Sequence, residues 1–162
     1  MSEKKKTQAG RMGEHQAVGI TEALASLGLR SGRLKTGTPP RLYGPSVDWD
    51  KTRPVFGDTN PAPFSYSTQG FSPPNLPCHN IKTNPGCHEV VQKNLSKSPM
   101  FSGDVSGVGP RYCPSIEDKI HRFVKKKSHL LFLEPEWASS DQIYVSGFST
   151  SLPEKTQLSA LR

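Results

Sequence analysis

The chain has few large apolar residues: Leu, Ile, Val and Phe together number 34 of 162. That is about a fifth of the chain, close to the level below which a sequence usually fails to bury a core. No apolar run approaches the roughly 18 residues that span a bilayer, so a transmembrane helix is excluded. The polar start, Met1 to Lys6, has no apolar stretch behind it. No secretory signal is therefore expected, and a cytoplasmic, membrane-free protein is the default. Sustained heptads, a Gly-X-Y period and internal repeats are also missing, which excludes coiled coil, collagen and a long helical repeat. Cysteine is scarce and odd in number (Cys78, Cys87, Cys113), so a full disulfide framework is excluded. Cys78-His79 and Cys87-His88 place their ligand atoms on adjacent residues, whereas zinc pairs sit two to four apart. No metal is expected, and Cys78 and Cys87 read as buried or idle thiols.

What the chain does have is glycine (14) and proline (15), and an excess of basic residues giving a net charge of +7. Such a balance is compatible with polyanions without requiring them. The densest basic cluster is Lys119, His121, Arg122, Lys125, Lys126, Lys127 and His129. Its two readings are a solvated helix face and a phosphate contact, to a nucleotide or to RNA.

Residues 1 to 12 are polar and basic. Thr21 to Leu27 reads as a helix with Ile20, Leu24 and Leu27 on one face and Gly28 as its stop. Leu29 to Lys35 reads as a short strand running into the stiff turn Thr36 to Arg41, where two prolines bar a ladder. Residues 42 to 82 are rich in proline and scattered aromatics, without a period of 2 or 3.6, and are expected to pack irregularly. A second helix fits Pro85 to Lys97, with Asn84 as N-cap and Val90, Val91 and Leu95 inward. A third begins at Pro114, with Glu117 and Asp118 near the positive end of its dipole and Ile116, Ile120, Phe123 and Val124 forming one stripe. Strands are expected at His129 to Leu133 and Gln142 to Phe148, then a helix from Pro153 capped by Ser151. That helix runs to Arg162, which suggests an interior piece of something longer.

Cys113 falls at the expected N-cap of the third helix, where free N–H groups and the dipole favour a thiolate. Arg111 adds positive charge, and Gly103, Gly107 and Gly109 let a ligand approach the backbone. The turn Gly109 to Ser115 therefore suits a phosphate, a nucleophile or both, with a small buried cysteine as the plain alternative.

The run Gly109-Pro110-Arg111-Tyr112-Cys113-Pro114-Ser115-Ile116-Glu117-Asp118-Lys119-Ile120-His121-Arg122-Phe123 resembles the signature of the MnmG (GidA) family of tRNA-modifying flavoproteins. Gly10 to Glu14, Gly32 to Arg41, Ser98-Pro99-Met100, Phe132 to Glu136 and Gly147 to Pro153 resemble further blocks of that family in the same order. The resemblance implies an α/β, mixed α+β fold: a partial Rossmann-type FAD/NAD(P)-binding flavoprotein with a β-rich insertion region. It implies that residues 1–41 join the FAD domain to the insertion and that 42–84 form a proline-rich insertion. Residues 85–162 would carry the nicotinamide-binding region and the return toward the FAD domain. The implied activity is addition of a 5-carboxymethylaminomethyl or aminomethyl group to the wobble uridine of tRNA, with the GTPase MnmE as partner and in a homodimer. FAD, NADH, methylenetetrahydrofolate, and glycine or ammonium would take part. Gly109 to Phe123 matches the family's NAD-associated stretch and Cys113 a catalytic cysteine. A thiolate added at carbon 6 of uracil makes carbon 5 nucleophilic, which gives a thiol a reason to be there.

The departures are equally definite. No G-x-G-x-x-G occurs; the family's second catalytic cysteine, later flavin motif and tRNA-binding helical end are absent as well. Ala17 stands where many members have a flavin-contacting Ser, Trp137 where glycine is usual, and Leu130 where Gln is usual. The expectation is thus an interior fragment, inactive alone. The alternatives are a piece of a TrmFO-like folate-dependent tRNA uridine methyltransferase, or a non-catalytic nucleotide- or RNA-binding module built on Lys125 to Lys127.

Overall fold

The computed structural model describes residues 8–10, 13–103, 108–109 and 114–162. Within them, helices α1 (Ile20–Ser26), α2 (Pro85–Lys93), α3 (Pro99–Ser102), α4 (Ile116–Arg122) and α5 (Glu154–Leu161) accompany five strands. These are β1 (Arg41–Tyr43), β2 (Arg53–Val55), β3 (Cys78–Lys82), β4 (Leu130–Pro135) and β5 (Gln142–Ser146). The strands form one sheet in the order β1-β5-β4-β3-β2, and every pairing is antiparallel. The class is mixed α+β, and the sheet is its β-rich part.

Alternation fixes which side of the sheet is buried. Leu131 and Leu133 of β4 and Ile143 and Val145 of β5 point to one face, where they are almost completely shielded. Helices α2, α4 and α5 supply the other half of the core through Cys87, Val91, Ile116, Ile120 and Ala160, closed by Phe148 and Leu152. This modest core is what the apolar composition allows.

Helix α2 begins as the sequence predicts: Pro85 fills the first turn and the Asn84 side chain accepts the Cys87 N–H at 2.8 Å. It ends at Lys93, earlier than expected, because the Asn94 side chain donates to the Val90 carbonyl and the chain tightens into a 3₁₀ turn at Leu95–Lys97. Val91 is inward, while Val90 and Leu95 are only partly covered. Helix α4 corrects the expected start. Its N-cap is Ser115, whose hydroxyl accepts the Asp118 N–H at 3.2 Å, so neither Cys113 nor Pro114 occupies the cap and first position. The expected stripe also stops early: Ile116 and Ile120 are buried, but Phe123 and Val124 lie beyond the helix end and are exposed.

Other expectations shift similarly. No strand forms over 29–35; Leu34 makes only an isolated parallel bridge to Val108. Residues 42 to 82 are not wholly irregular, since β2, β3 and most of β1 lie there, β1 and β2 being too short to show a period. The stretch 56–77 holds no helix or strand, and its Phe64 and Tyr66 are fully exposed. Helix α5 follows Pro153, but Ser151 makes no cap because its hydroxyl and N–H are held elsewhere. Gly147 ends β5 with φ of +91°, and a side chain there would press on the Leu130 carbonyl at 3.1 Å. Helix α1 buries none of its residues, so the face of Ile20, Leu24 and Leu27 faces outward. Among the described residues no helix is long and apolar enough to cross a membrane.

Candidate functional site

The sequence blocks singled out above are far apart along the chain, yet the fold brings several to one place. Glu117, in the first turn of α4, is fully buried. Its Oε1 accepts the Ser151 N–H at 3.0 Å, the Ser98 hydroxyl at 3.2 Å and, more weakly, the Ser151 hydroxyl at 3.4 Å. The two serine oxygens are themselves 2.6 Å apart. Ser98 opens α3 and Ser151 lies in the loop after β5, so one carboxylate joins three matched blocks.

Other contacts draw the same blocks tight. Ile116 N–H donates to the Ser149 carbonyl at 2.7 Å, and Lys119 Nζ to the Gly147 carbonyl at 2.8 Å. Thr38 and Thr150 exchange backbone hydrogen bonds at 3.1 and 3.2 Å. Gly37 passes so close to Thr150 that a Cβ would lie 2.7 Å from its amide nitrogen. Lys35 reaches across to the Met100 carbonyl at 3.2 Å. Arg41 binds Glu136 at 2.6 Å and lies over the Tyr144 ring, beside an open cleft of about 670 Å³ walled also by Thr38, Pro39 and Trp137. A second cleft, about 450 Å³, lies between Gly57–Pro61 and Phe71–Asn75 and is closed by Asn75 accepting the Gly57 N–H.

Of the nucleotide-associated stretch, Pro110, Arg111, Tyr112 and the candidate nucleophile Cys113 lie outside the described residues. So does Gly107. Among the described residues, its chain neighbours aside, none lies within 4 Å of where a Cβ on Gly109 would sit. Ser115, Ile116, Glu117 and Ile120 turn inward to cap, core and carboxylate network. Pro114, Asp118 and Lys119 are partly covered, while His121, Arg122 and Phe123 are exposed. Arg122 pairs with Asp118 at 3.4 Å, and the His121 ring meets Phe101 edge-on. Sequence reasoning took Glu117 for a dipole-side acid and overlooked its network. The pattern Ser115-x-x-Asp118, a capping-box spacing, was the signal that could have placed the helix start and turned Glu117 inward.

A second polar cluster was not anticipated. Thr83 Oγ1 lies 2.7 Å from His88 Nε2 and accepts the His129 N–H at 2.8 Å, and the two imidazoles are 5.3 Å apart. Burial lowers the pKa of His88 from its ordinary value. His129 is lowered first by burial, then by the charges of His88, Lys126 and Lys119. Next to His88, burial pushes the Cys87 thiol up to about 11. The Cys78 thiol is raised by burial and by Glu134. Neither is a poised nucleophile. Among the described residues no three His, Cys, Asp or Glu side chains gather to hold a metal.

Nor do the described residues fit a flavin's pyrophosphate. The only strand among them that runs within two residues into an α-helix, β3 into α2, does so through Thr83-Asn84 rather than a glycine-rich turn, and Asn84 caps its own helix.

The sequence matches the family model described as "Glucose inhibited division protein A" over residues 1–162. It is 50% identical over 159 residues to the "tRNA uridine 5-carboxymethylaminomethyl modification enzyme MnmG" of Cytophaga hutchinsonii, covering 98% of this chain and 26% of that protein. The protein of the same description from Chlorobium phaeobacteroides is 54% identical over 145 residues, covering 89% and 23%. Among solved structures, GidA of Aquifex aeolicus in its form I crystal superposes with a TM-score of 0.77 at 38% identity, covering 94% of this chain and 27% of that one. Its form II crystal gives 0.73 at 35% identity. The chain thus spans about a quarter of the length of the curated relatives it matches.

Proposed function

The chain belongs to the glucose inhibited division protein A (GidA) family, and from that premise we propose that it is the interior part of an FAD-dependent tRNA-modifying enzyme. The observation that carries this reading is the match over residues 1–162, with about half of the residues identical to MnmG proteins. The whole enzyme would add a 5-carboxymethylaminomethyl or aminomethyl group to the wobble uridine of tRNA, as a homodimer working with the GTPase MnmE. FAD and NADH would be its redox cofactors. The turn Gly109 to Phe123 would meet the nicotinamide nucleotide. Cys113 would supply the thiol for addition to uracil.

The Glu117–Ser98–Ser151 network ties the start of α3, which precedes Gly109 to Ser115 in the sequence, to α4, which follows that stretch. A turn that must present a thiol to a base needs such fixed ends, because small misplacements of a reacting group cost rate steeply. FAD would be held by the remaining three quarters of a full-length member. The purified chain, mixed with excess FAD and passed through a desalting column, should emerge without flavin absorbance. Stoichiometric retained flavin would overturn the assignment of the flavin site to the remainder.

A further inference from the structure

The basic cluster read from the sequence does not survive as a unit, and its division is informative. His129 is buried against Thr83 and His88, and Lys119 is bound to the Gly147 carbonyl. What is left is the turn after α4, closed by the Lys126 N–H donating to the Phe123 carbonyl at 2.8 Å. It exposes Phe123 (57%) and Val124 (69%) beside Lys125, Lys126 and Lys127. None of these three lysines has an ion-pair partner among the described residues, and Asp118 of α4 is already matched by Arg122. Lys82, opposite Leu130 in the β3–β4 ladder, adds another exposed positive charge at the same end of the sheet.

An exposed aromatic ring flanked by unpaired lysines suits an unstacked RNA strand: ammonium groups meet phosphates while the ring receives a base. A solvated helix face would need neither the exposed phenylalanine nor a turn. We propose that the Phe123–Lys127 turn is an RNA contact, gripping the backbone of a single-stranded loop with Lys125, Lys126 and Lys127 and stacking a base on Phe123. This rests on the tRNA-modifying reading above, and it adds a contact surface made of this chain's own lysines.

The test is equilibrium binding of the chain to a fluorescent tRNA anticodon-loop oligonucleotide across a salt series. Wild-type affinity should fall steeply with salt. The K125E/K126E/K127E variant should lose binding at least tenfold. Its salt slope should flatten by about two, because each single-strand phosphate that a lysine neutralises contributes roughly 0.7 to that slope. K125Q/K126Q/K127Q should fall between the two, and F123A should weaken binding several-fold with the slope unchanged. Unaltered circular dichroism of these surface variants shows that the fold is intact. Equal affinity of the reversal variant overturns the proposal. So does competition by polyglutamate as effective as by RNA of equal charge, which would point to an acidic protein partner. Because binding is measured without flavin or modification, failure here leaves the enzymatic reading standing, and loss of modification in a full-length enzyme leaves this contact standing.

Discussion

At the scale of single residues, Glu117 holds the matched blocks together. It is fully buried, with one oxygen engaged by two serines and the other without a partner among the described residues. Glu117→Ala would strand the Ser98 hydroxyl and the Ser151 N–H in the core. The expected loss is about 3 kcal/mol in urea unfolding. Glu117→Gln keeps one acceptor in place and should cost only about 1 kcal/mol. A second sensitive residue is Gly37. Its substitution by Ala drives a methyl group into the Thr150 backbone, which cannot yield as a side-chain tip would. A loss of at least about 2 kcal/mol is expected by the same measurement. The buried imidazoles set a pH dependence. Both His88 and His129 have lowered pKa values, so the neutral forms are favoured in the fold. As the pH falls below about 6.5 the unfolded chain binds more protons than the folded one, and stability falls with it. Thermal midpoints should therefore decline between pH 7.5 and pH 5. His129→Gln, which removes one of the two groups, should make that decline shallower.

At the scale of elements, helix starts are set by side-chain caps. Asn84→Ala and Ser115→Ala should each cost about 1 kcal/mol by removing the acceptors of the Cys87 and Asp118 N–H groups. Helix α2 was legible from the sequence because Asn84 and Pro85 are local signals that act on the backbone beside them. The start of α4 was misread because two signals competed: Pro114 suits a first turn, but Ser115-x-x-Asp118 prevailed. Strands β4 and β5 were legible within two residues from their alternation. The three-residue strands β1 and β2 were not, because they exist only through pairing with β5 and β3. The same limit applies to the site. The blocks themselves could be read from the chain, but not the meeting of Ser98, Glu117 and Ser151 or of His88, Thr83 and His129, which are long-range contacts made by the packed sheet and helices.

For the whole molecule, the thin apolar content and the outward face of α1 have one physical reading. Val18, Ile20, Leu24, Leu27 and Leu29 are all exposed, an apolar stretch of a kind that single soluble domains seldom leave uncovered. Together with a length about a quarter of its relatives, this fits a segment whose α1 face is covered by the rest of a GidA-family enzyme. The most direct test is a chimera. The matching segment of the Cytophaga hutchinsonii MnmG is replaced by residues 1–162 of this chain, and wobble-uridine nucleosides are measured by mass spectrometry in tRNA from cells lacking their own enzyme. The account predicts that the modified nucleoside is restored and is lost again with Cys113→Ser. A soluble, flavin-bound chimera that leaves the wobble uridine unmodified, where the parent enzyme modifies it, would contradict the account.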